Sequence, residues 1–167
     1  AGGHAFGKLG DEYIYHNAFI TSCPFGCGDA TPPVRHAHSL GWFQNLWLNG
    51  NMYDVPWSHL IFDEKYQNTV DIYEGGYMHQ RGVYRSEANS CMNNNVPYYS
   101  AISRQAIVER IMEYAGEEFT FEKFKAKDSA EIGAVPMSMT RGVATKEESY
   151  NPLHNEPVIV DEKPVLN

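Results

Sequence analysis

Near the start of the chain, a histidine is followed by a glycine and a carboxylate at spacings that suit metal binding. In the motif H-E-x-x-H, two histidines one helical turn apart share a face and bind one zinc ion. In a longer form, H-E-x-x-H-x-x-G-x-x-H, the glycine ends the helix so that the chain turns and delivers a third ligand. His4 and Gly7 have this relative spacing, and Asp11 follows His4 by seven residues rather than six. Because a carboxylate is an acceptable zinc ligand, His4 and Asp11 are the candidate metal ligands.

Further motifs follow in a fixed order and give the chain a resemblance to a known family. They read HAFGKLGDEY at 4–13, YEGGY at 73–77, GVYRS at 82–86, SCM at 90–92 and SRQAI at 103–107. Over roughly residues 1–125 the chain is similar to the IgA-peptidase family of zinc metallopeptidases. That family carries H-E-x-x-H-x-x-G before a D-E-Y block, and then a succession of E-G-G/A-x-Y, Y-R-P-S and C-x-M.

The resemblance implies a role for each metal-site residue. His4 would be the second zinc-binding histidine, and Asp11 would be the third ligand with Glu12 as its fallback. Met92 resembles the Met-turn of metzincins, a methionine that lies beneath the metal. The implied fold is therefore α+β, the C-terminal portion of a zincin or metzincin-like catalytic domain.

The same resemblance points to groups around the metal. Tyr84 or Tyr77 would donate a hydrogen bond to the oxyanion that develops during peptide hydrolysis. Glu74, just before two glycines, could orient a ligand histidine through a hydrogen bond, or could simply be the exposed end of a strand.

The first zinc histidine and the general-base glutamate are expected upstream of Ala1. A strict H-E-x-x-H ending at His4 would place the glutamate at position 1, which is alanine. Either the glutamate has been replaced, or the spacing is H-E-x-x-x-H and both residues precede Ala1. The second arrangement needs one extra residue in the helical turn, as in a π-bulge, and Gly2-Gly3 would tolerate it. We therefore expect this chain to be part of a longer chain and to be inactive alone.

The predicted activity is zinc-dependent endopeptidase cleavage of a protein or peptide, with glycoproteins and immunoglobulins among the candidate substrates. The family resemblance also implies a secreted or bacterial cell-surface location. The alternatives are an inactivated peptidase homologue and a non-catalytic module that binds a glycan or a protein through aromatic residues such as Trp42, Trp47 and Trp57. Such tryptophans more often belong to a core.

Composition restricts the partners. The chain has 167 residues, with 13 Lys and Arg against 21 Asp and Glu, for a net charge of −8. A nucleic-acid-binding domain would show a basic face, so we expect no nucleic acid. Apolar runs are too short to form a membrane-spanning segment. Cys23 and Cys27 alone are too few for a closed zinc site, and with Cys91 they make an odd number, so we expect buried thiols or one loop disulfide.

The periodic patterns predict several elements. Residues 1–16 should end a helix and turn, 17–40 should form a long surface loop, and 57–62 a short strand or buried segment. Alternation over 68–74 and an extended piece at 83–85 predict a hairpin. In the loop, His36 and His38 would be a rival metal pair if they lay on a strand, but a solvated loop is the expected setting.

The clearest helix is predicted over residues 100–116. Its apolar face would hold Ile102, Ala106, Ile107, Ile111 and Tyr114. Ser100 is the expected N-cap and Gly116 the stop. Residues 119–124 should form a shorter helix or a strand, and residues 126–167 an extended tail that packs on the domain or leads to another segment.

Overall fold

A computed structural model describes residues 2–14, 31–94 and 96–129, which form a mixed α+β architecture. The helices are α1 (Gly2–Ala5), α2 (Thr31–Ser39), α3 (Ser58–Ile61), α4 (Cys91–Asn94), α5 (Ala101–Ala115) and α6 (Phe121–Lys127). The strands are β1 (Leu46–Trp47), β2 (Tyr73–Gly76) and β3 (His79–Arg85). The predicted α+β class is confirmed, and the zincin topology stays a prediction. Within the described ranges, no helix is long and apolar enough to cross a bilayer.

The strands form an antiparallel sheet in the order β1-β3-β2. Tyr84 of β3 lies between Trp47 of β1 and Glu74 of β2. The predicted hairpin is therefore confirmed, but its first strand begins only at Tyr73 and not at residue 68. A bulge interrupts the β2–β3 register between Glu74 and Gly76, where Gly75 has a φ of +111°. That conformation is one that glycine adopts without steric cost.

The main core joins α3, α5 and α6. Trp57, Leu60 and Tyr66 are fully buried, and they pack with Ile102 of α5 and Phe124 of α6. The prediction of a strand at 57–62 was wrong because Leu60 and Ile61 bond back to Trp57 in a helical turn. The alternative prediction of a buried segment is confirmed at Trp57 and Leu60.

Helix α2 occupies the end of the segment predicted as a loop. Pro32 and Pro33 lie in its first turn, where the missing N–H groups have no partner in the helix anyway. Val34 and Ala37 are buried, and Val34 packs with Leu46 and Val83. The rest of the predicted loop, with Cys23 and Cys27, lies mostly outside the described residues.

At its C-terminal end, the described chain extends past the predicted boundary at residue 125. Helix α6 runs to Lys127, and Asp128 then accepts two hydrogen bonds from Arg104, at 2.9 and 2.8 Å. Tyr66 donates a third, at 3.0 Å. Most of the predicted tail, from residue 130 onward, lies outside the described residues.

Helix α5 confirms the prediction for 100–116, with Gly116 in the left-handed conformation at its end. The predicted capping was only half right. Ser100 occupies the N-cap position, but its hydroxyl donates to the Ser103 hydroxyl instead of capping the helix. The first N–H of the helix, on Ala101, donates to the buried carboxylate of Glu87 at 2.6 Å, and Tyr98 donates to the other oxygen at 2.7 Å.

Replacement of Glu87 by alanine should therefore destabilise the fold. The Ala101 amide and the Tyr98 hydroxyl would lose a charged acceptor, a loss of about 2 kcal/mol or more. Urea denaturation should show a lower midpoint for Glu87→Ala than for wild type. Glu87→Gln keeps one acceptor oxygen, so its midpoint should fall less. Equal midpoints for wild type and Glu87→Ala would contradict this capping role.

Candidate metal centre

The structure brings the two predicted ligands into contact. His4 Nε2 lies 2.6 Å from Asp11 Oδ1, and 52% of the His4 side chain and 27% of the Asp11 side chain are exposed. The pair therefore lies at the surface, within reach of a solvated ion. The two side chains are close enough to approach one ion, and their role as shared metal ligands stays a prediction.

A tight turn after α1 produces this contact. Phe6 and Gly7 both donate to the Gly2 carbonyl, at 3.0 and 3.2 Å, and Leu9 donates to the Gly3 carbonyl at 3.0 Å. Lys8 adopts a left-handed φ of +53° and reverses the chain. Of the two glycines that could end this helix, Gly7 and Gly10, Gly7 lies nearer to its last residue, Ala5. The reversal carries Asp11 back to His4.

Gly7 is required in this turn because of its neighbours. A Cβ on Gly7 would lie 2.9 Å from the Gly3 carbonyl oxygen and 3.0 Å from Ile107 Cγ1. Real Cβ atoms do not approach a backbone oxygen so closely, so a side chain here would push α1 away from α5.

Backbone contacts on two sides hold the segment that carries Asp11. Tyr77 donates its backbone N–H to the Asp11 carbonyl at 2.8 Å. Glu12 donates its own N–H to the Met92 carbonyl at 2.8 Å. The Asp11 backbone is thus fixed between the β2–β3 hairpin and α4, although its carboxylate stays partly exposed.

Glu12 points in the opposite direction, into the interior. Its carboxylate is fully buried and accepts hydrogen bonds from Asn45 Nδ2 at 2.8 Å and from the Ser90 hydroxyl. Burial raises the pKa of Glu12 to about 7, against a partial lowering by the Ser90 and Asn45 donors. With both oxygens engaged inside the protein, Glu12 is a poorer metal ligand than Asp11.

Met92 lies directly beneath α1. It is buried, and its Sδ would be 2.7 Å from a Cβ placed on Gly3. Its role as a Met-turn methionine stays a prediction.

Glu74 and Tyr84 bond to each other rather than to the histidine. Glu74 Oε1 accepts from the Gly82 N–H at 3.1 Å and from the Tyr84 hydroxyl at 3.4 Å. No described contact links either side chain to His4. Of the two oxyanion candidates, Tyr77 is the one whose backbone contacts Asp11, and its ring packs 5.8 Å from that of Phe43.

Sequence reasoning missed Tyr99. Its ring and hydroxyl lie against α1, with Cε1 3.2 Å and Oη 3.3 Å from a Cβ placed on Gly3. Burial and then the neighbouring Cys91 thiol raise the pKa of the Tyr99 hydroxyl. Nothing in the spacing separates this tyrosine from the others, because the contact depends on how α1 and α5 pack.

The other candidates do not form a second site among the described residues. His36 and His38 lie on α2, where positions i and i+2 project about 200° apart and cannot share one ion. His38 instead bonds the Leu46 carbonyl at 2.9 Å and packs on Trp47 at 4.5 Å. Trp57 is fully buried, which excludes it from a ligand-binding platform.

The described part of the chain supplies two candidate metal ligands at this site, His4 and Asp11. No group of three or more His, Cys, Asp or Glu side chains in residues 2–14, 31–94 and 96–129 lies close enough to hold an ion. No protein-family model and no curated protein matches the chain. The case for a metal therefore depends on the His4–Asp11 pair and its surroundings.

The buried carboxylate of Glu12 should make stability depend on pH. Its folded-state pKa of about 7 lies above the ordinary value of 4.5, so its contribution favours folding at low pH and is lost as pH rises from 4.5 to about 7. In metal-free protein, Glu12→Gln should flatten the dependence in this window, by a difference on the order of 3 kcal/mol. Urea denaturation at several pH values measures it. The exposed carboxylate variant Glu118→Gln is the control, and a curve for Glu12→Gln that parallels wild type would refute the effect.

Alanine substitution should affect stability differently at Gly7, in the turn, and at Gly2, in α1. Gly7→Ala should destabilise the protein by about 1–3 kcal/mol, because the methyl group meets backbone and α5. Gly2→Ala is the matched control, since its Cβ would meet nothing nearer than the Tyr99 hydroxyl at 4.0 Å. It should be neutral or stabilising by up to ~1 kcal/mol through helix propensity. Thermal unfolding of both variants measures this difference in stability. Equal midpoints for the two variants would contradict the steric requirement for Gly7.

Proposed function

We propose that this chain carries part of the active site of a zinc-dependent endopeptidase. The observation that supports this is the contact between His4 Nε2 and Asp11 Oδ1 at the surface, made by a turn with the glycine spacing of zinc-peptidase motifs. Neutral imidazole and carboxylate are both ordinary zinc ligands.

The two residues fit a zinc ion in ligand type, and a small change in their separation would admit it. Two ligands of one tetrahedral zinc stand roughly 3.3 Å apart, given bond lengths of about 2.0–2.1 Å. The 2.6 Å pair would have to open by several tenths of an ångström, which two partly exposed side chains can do by small rotations. Buried Met92 and partly buried Tyr99 pack against Gly3 of α1, so the backbone under His4 would stay fixed during this adjustment.

In this proposal, each residue of the chain has a limited task. His4 and Asp11 would hold the ion, and the turn at Gly7 and Lys8 brings their side chains together. A bound zinc ion would lower the pKa of a water molecule and polarise the scissile carbonyl. Tyr77, whose backbone contacts Asp11, and Tyr84 are the two candidate oxyanion donors. The first histidine and the glutamate that would accept the water's proton are expected upstream of Ala1.

The proposed substrate is a protein or peptide, and the proposed location is the bacterial cell surface or the secreted fraction. Both follow from the motif resemblance. The carboxylate-rich composition, with a net charge of −8, does not favour nucleic acid as a partner.

A zinc titration tests the proposal. The parent chain, with its upstream residues, should hold one zinc per molecule after dialysis, and His4→Ala or Asp11→Ala should reduce the affinity at least about 10-fold. His36→Ala, which removes an exposed histidine from α2, is the control and should bind as wild type does. The 167-residue chain should bind only weakly.

The same experiment separates the alternatives. Zinc that persists in His4→Ala would overturn the assigned site. Stoichiometric zinc without cleavage of any peptide library would indicate an inactivated homologue. A protein that binds no zinc but retains a protein or glycan partner would indicate a binding module.

A further inference from the structure

A groove lies between α5 and α6, and neither His4 nor Asp11 lines it. It encloses about 730 Å³. This volume falls within the range of roughly 300–1,000 Å³ that is typical of small-molecule sites. The apolar part of its lining comes from α5 and α6 and comprises Ile107, Val108, Met112 and Phe124. The groove therefore offers an apolar surface to a ligand.

Charged side chains also line the groove, and two of them neutralise each other. Arg104 donates hydrogen bonds to both carboxylate oxygens of Asp128, at 2.9 and 2.8 Å. Three unpaired charges then remain in the lining, and they belong to Glu117, Lys123 and Lys127.

The two lysines form a cationic pair on α6. Lys123 and Lys127 are four residues apart, so their side chains lie on one face of the helix. Both are exposed, and neither ammonium group has an ion-pair partner in the part of the chain that the structure describes. Lys125, which lies between them in sequence, pairs instead with Asp63 at 2.6 Å and does not line the groove. Two available cations therefore border the apolar surface.

The charges differ between the two ends of the groove. Lys127 lies in the last turn of α6, next to Asp128, whose partner Arg104 is in the first turn of α5. Glu117 follows the end of α5, where its N–H donates to the Met112 carbonyl at 2.8 Å. Arg104 and Met112 are separated by about 12 Å along the helix axis. A ligand carboxylate is therefore favoured at the Lys127 end and disfavoured near Glu117.

The walls of the groove suit a hydrocarbon chain better than an extended peptide. They are helices, in which main-chain N–H and C=O groups bond to each other. An extended peptide buried between them would leave its own main-chain groups without partners, and this is unfavourable for each group. A hydrocarbon chain has no such groups, and its burial is favourable.

We propose that this groove binds an anionic amphiphile, a free fatty-acid-like molecule. Its carboxylate lies at Lys123 and Lys127, and its hydrocarbon chain lies along the apolar wall of α5. The chain as a whole has a net charge of −8, which repels anions. Preference for an anionic head group must therefore come from these local cations. The site is separate from the candidate metal centre and does not depend on zinc.

Calorimetric titration of the 167-residue chain with sodium dodecanoate tests the proposal, at neutral pH and below the micelle concentration. We expect one saturable site, and an unfolding temperature that rises with dodecanoate because the ligand binds the folded state. Decanoate, which is two methylenes shorter, should bind about 5- to 15-fold more weakly. Dodecyltrimethylammonium has the same chain with a cationic head group and should bind at least about 5-fold more weakly.

Lysine variants locate the head group. Lys123→Gln and Lys127→Gln should each weaken dodecanoate binding about 2- to 5-fold, because an exposed ion pair makes a modest contribution. Lys125→Gln is the matched control, since it removes the same charge from the same helix but outside the groove. It should bind dodecanoate as wild type does.

Variants of α5 locate the hydrocarbon chain. Met112→Glu would place a carboxylate in the groove and should weaken binding at least about 10-fold. Ile111→Glu is the control, because Ile111 is 50% exposed and does not line the groove. It should leave the affinity unchanged. Thermal unfolding without ligand checks that each variant is folded.

Four results would overturn the proposal. The first is the absence of saturable dodecanoate binding, and the second is an unfolding temperature that falls with dodecanoate. The third is equal affinity for the cationic amphiphile. The fourth is an equal loss of affinity in Lys125→Gln and Lys127→Gln, because binding would then respond only to net charge. A chain that rejects dodecanoate but binds a helical peptide of Leu and Glu would also assign the groove to a protein partner instead.

Discussion

The arrangement around His4 depends on one buried side chain, the amide of Asn45. Asn45 is fully buried just before β1, and its Oδ1 accepts from the Gly10 N–H at 2.9 Å. Its Nδ2 donates to the Gly10 carbonyl at 2.8 Å and to Glu12 Oε1 at 2.8 Å. An amide that pairs with both backbone groups of one residue acts like a neighbouring strand, so it fixes the chain between the turn and Asp11 without any regular sheet. Since buried polar groups must be paired, this arrangement allows few alternatives.

Asn45 also explains why two adjacent carboxylates have opposite environments. In an extended chain, successive side chains point to opposite sides. Once Asn45 and Ser90 hold Glu12 inside, Asp11 must face outward, toward His4. Burial disfavours the ionised form of Glu12, and the hydrogen bonds from Ser90 and Asn45 offset only part of this effect. The pKa of Glu12 is therefore raised. The outward direction of Asp11 is thus set by the inward direction of its neighbour.

The sequence predicted those features that depend on local patterns. The helix over 101–115, its glycine stop, the hairpin and the glycine-ended α1 turn all follow from periodicity or turn chemistry within a few residues. The spacing of His4 and Asp11 predicted only that both could reach one ion, and that prediction is not tested by their direct contact. Features set by distant partners were not predictable: Glu87 caps α5 from fourteen positions away in sequence, and Asn45 reaches Gly10 across thirty-five. Helix α2 was missed because two prolines favoured a loop, although a first turn accommodates them.

The predicted apolar face of α5 shows where periodicity stops being informative. Ile102 and Ala106 are buried as expected, whereas Ile111 and Tyr114, on the same predicted face, are exposed. Periodicity records that a helix has an apolar side, but it does not say what covers that side. The glycines of residues 2–10 carry the complementary information. Gly3 is closed off by Met92 and Tyr99, Gly7 by Ile107, and Gly10 by Leu46, so the backbone of this segment touches α4, α5 and β1 where side chains would normally intervene. A backbone packed so closely against its neighbours leaves the His4 side chain on the solvent side, where 52% of it is exposed.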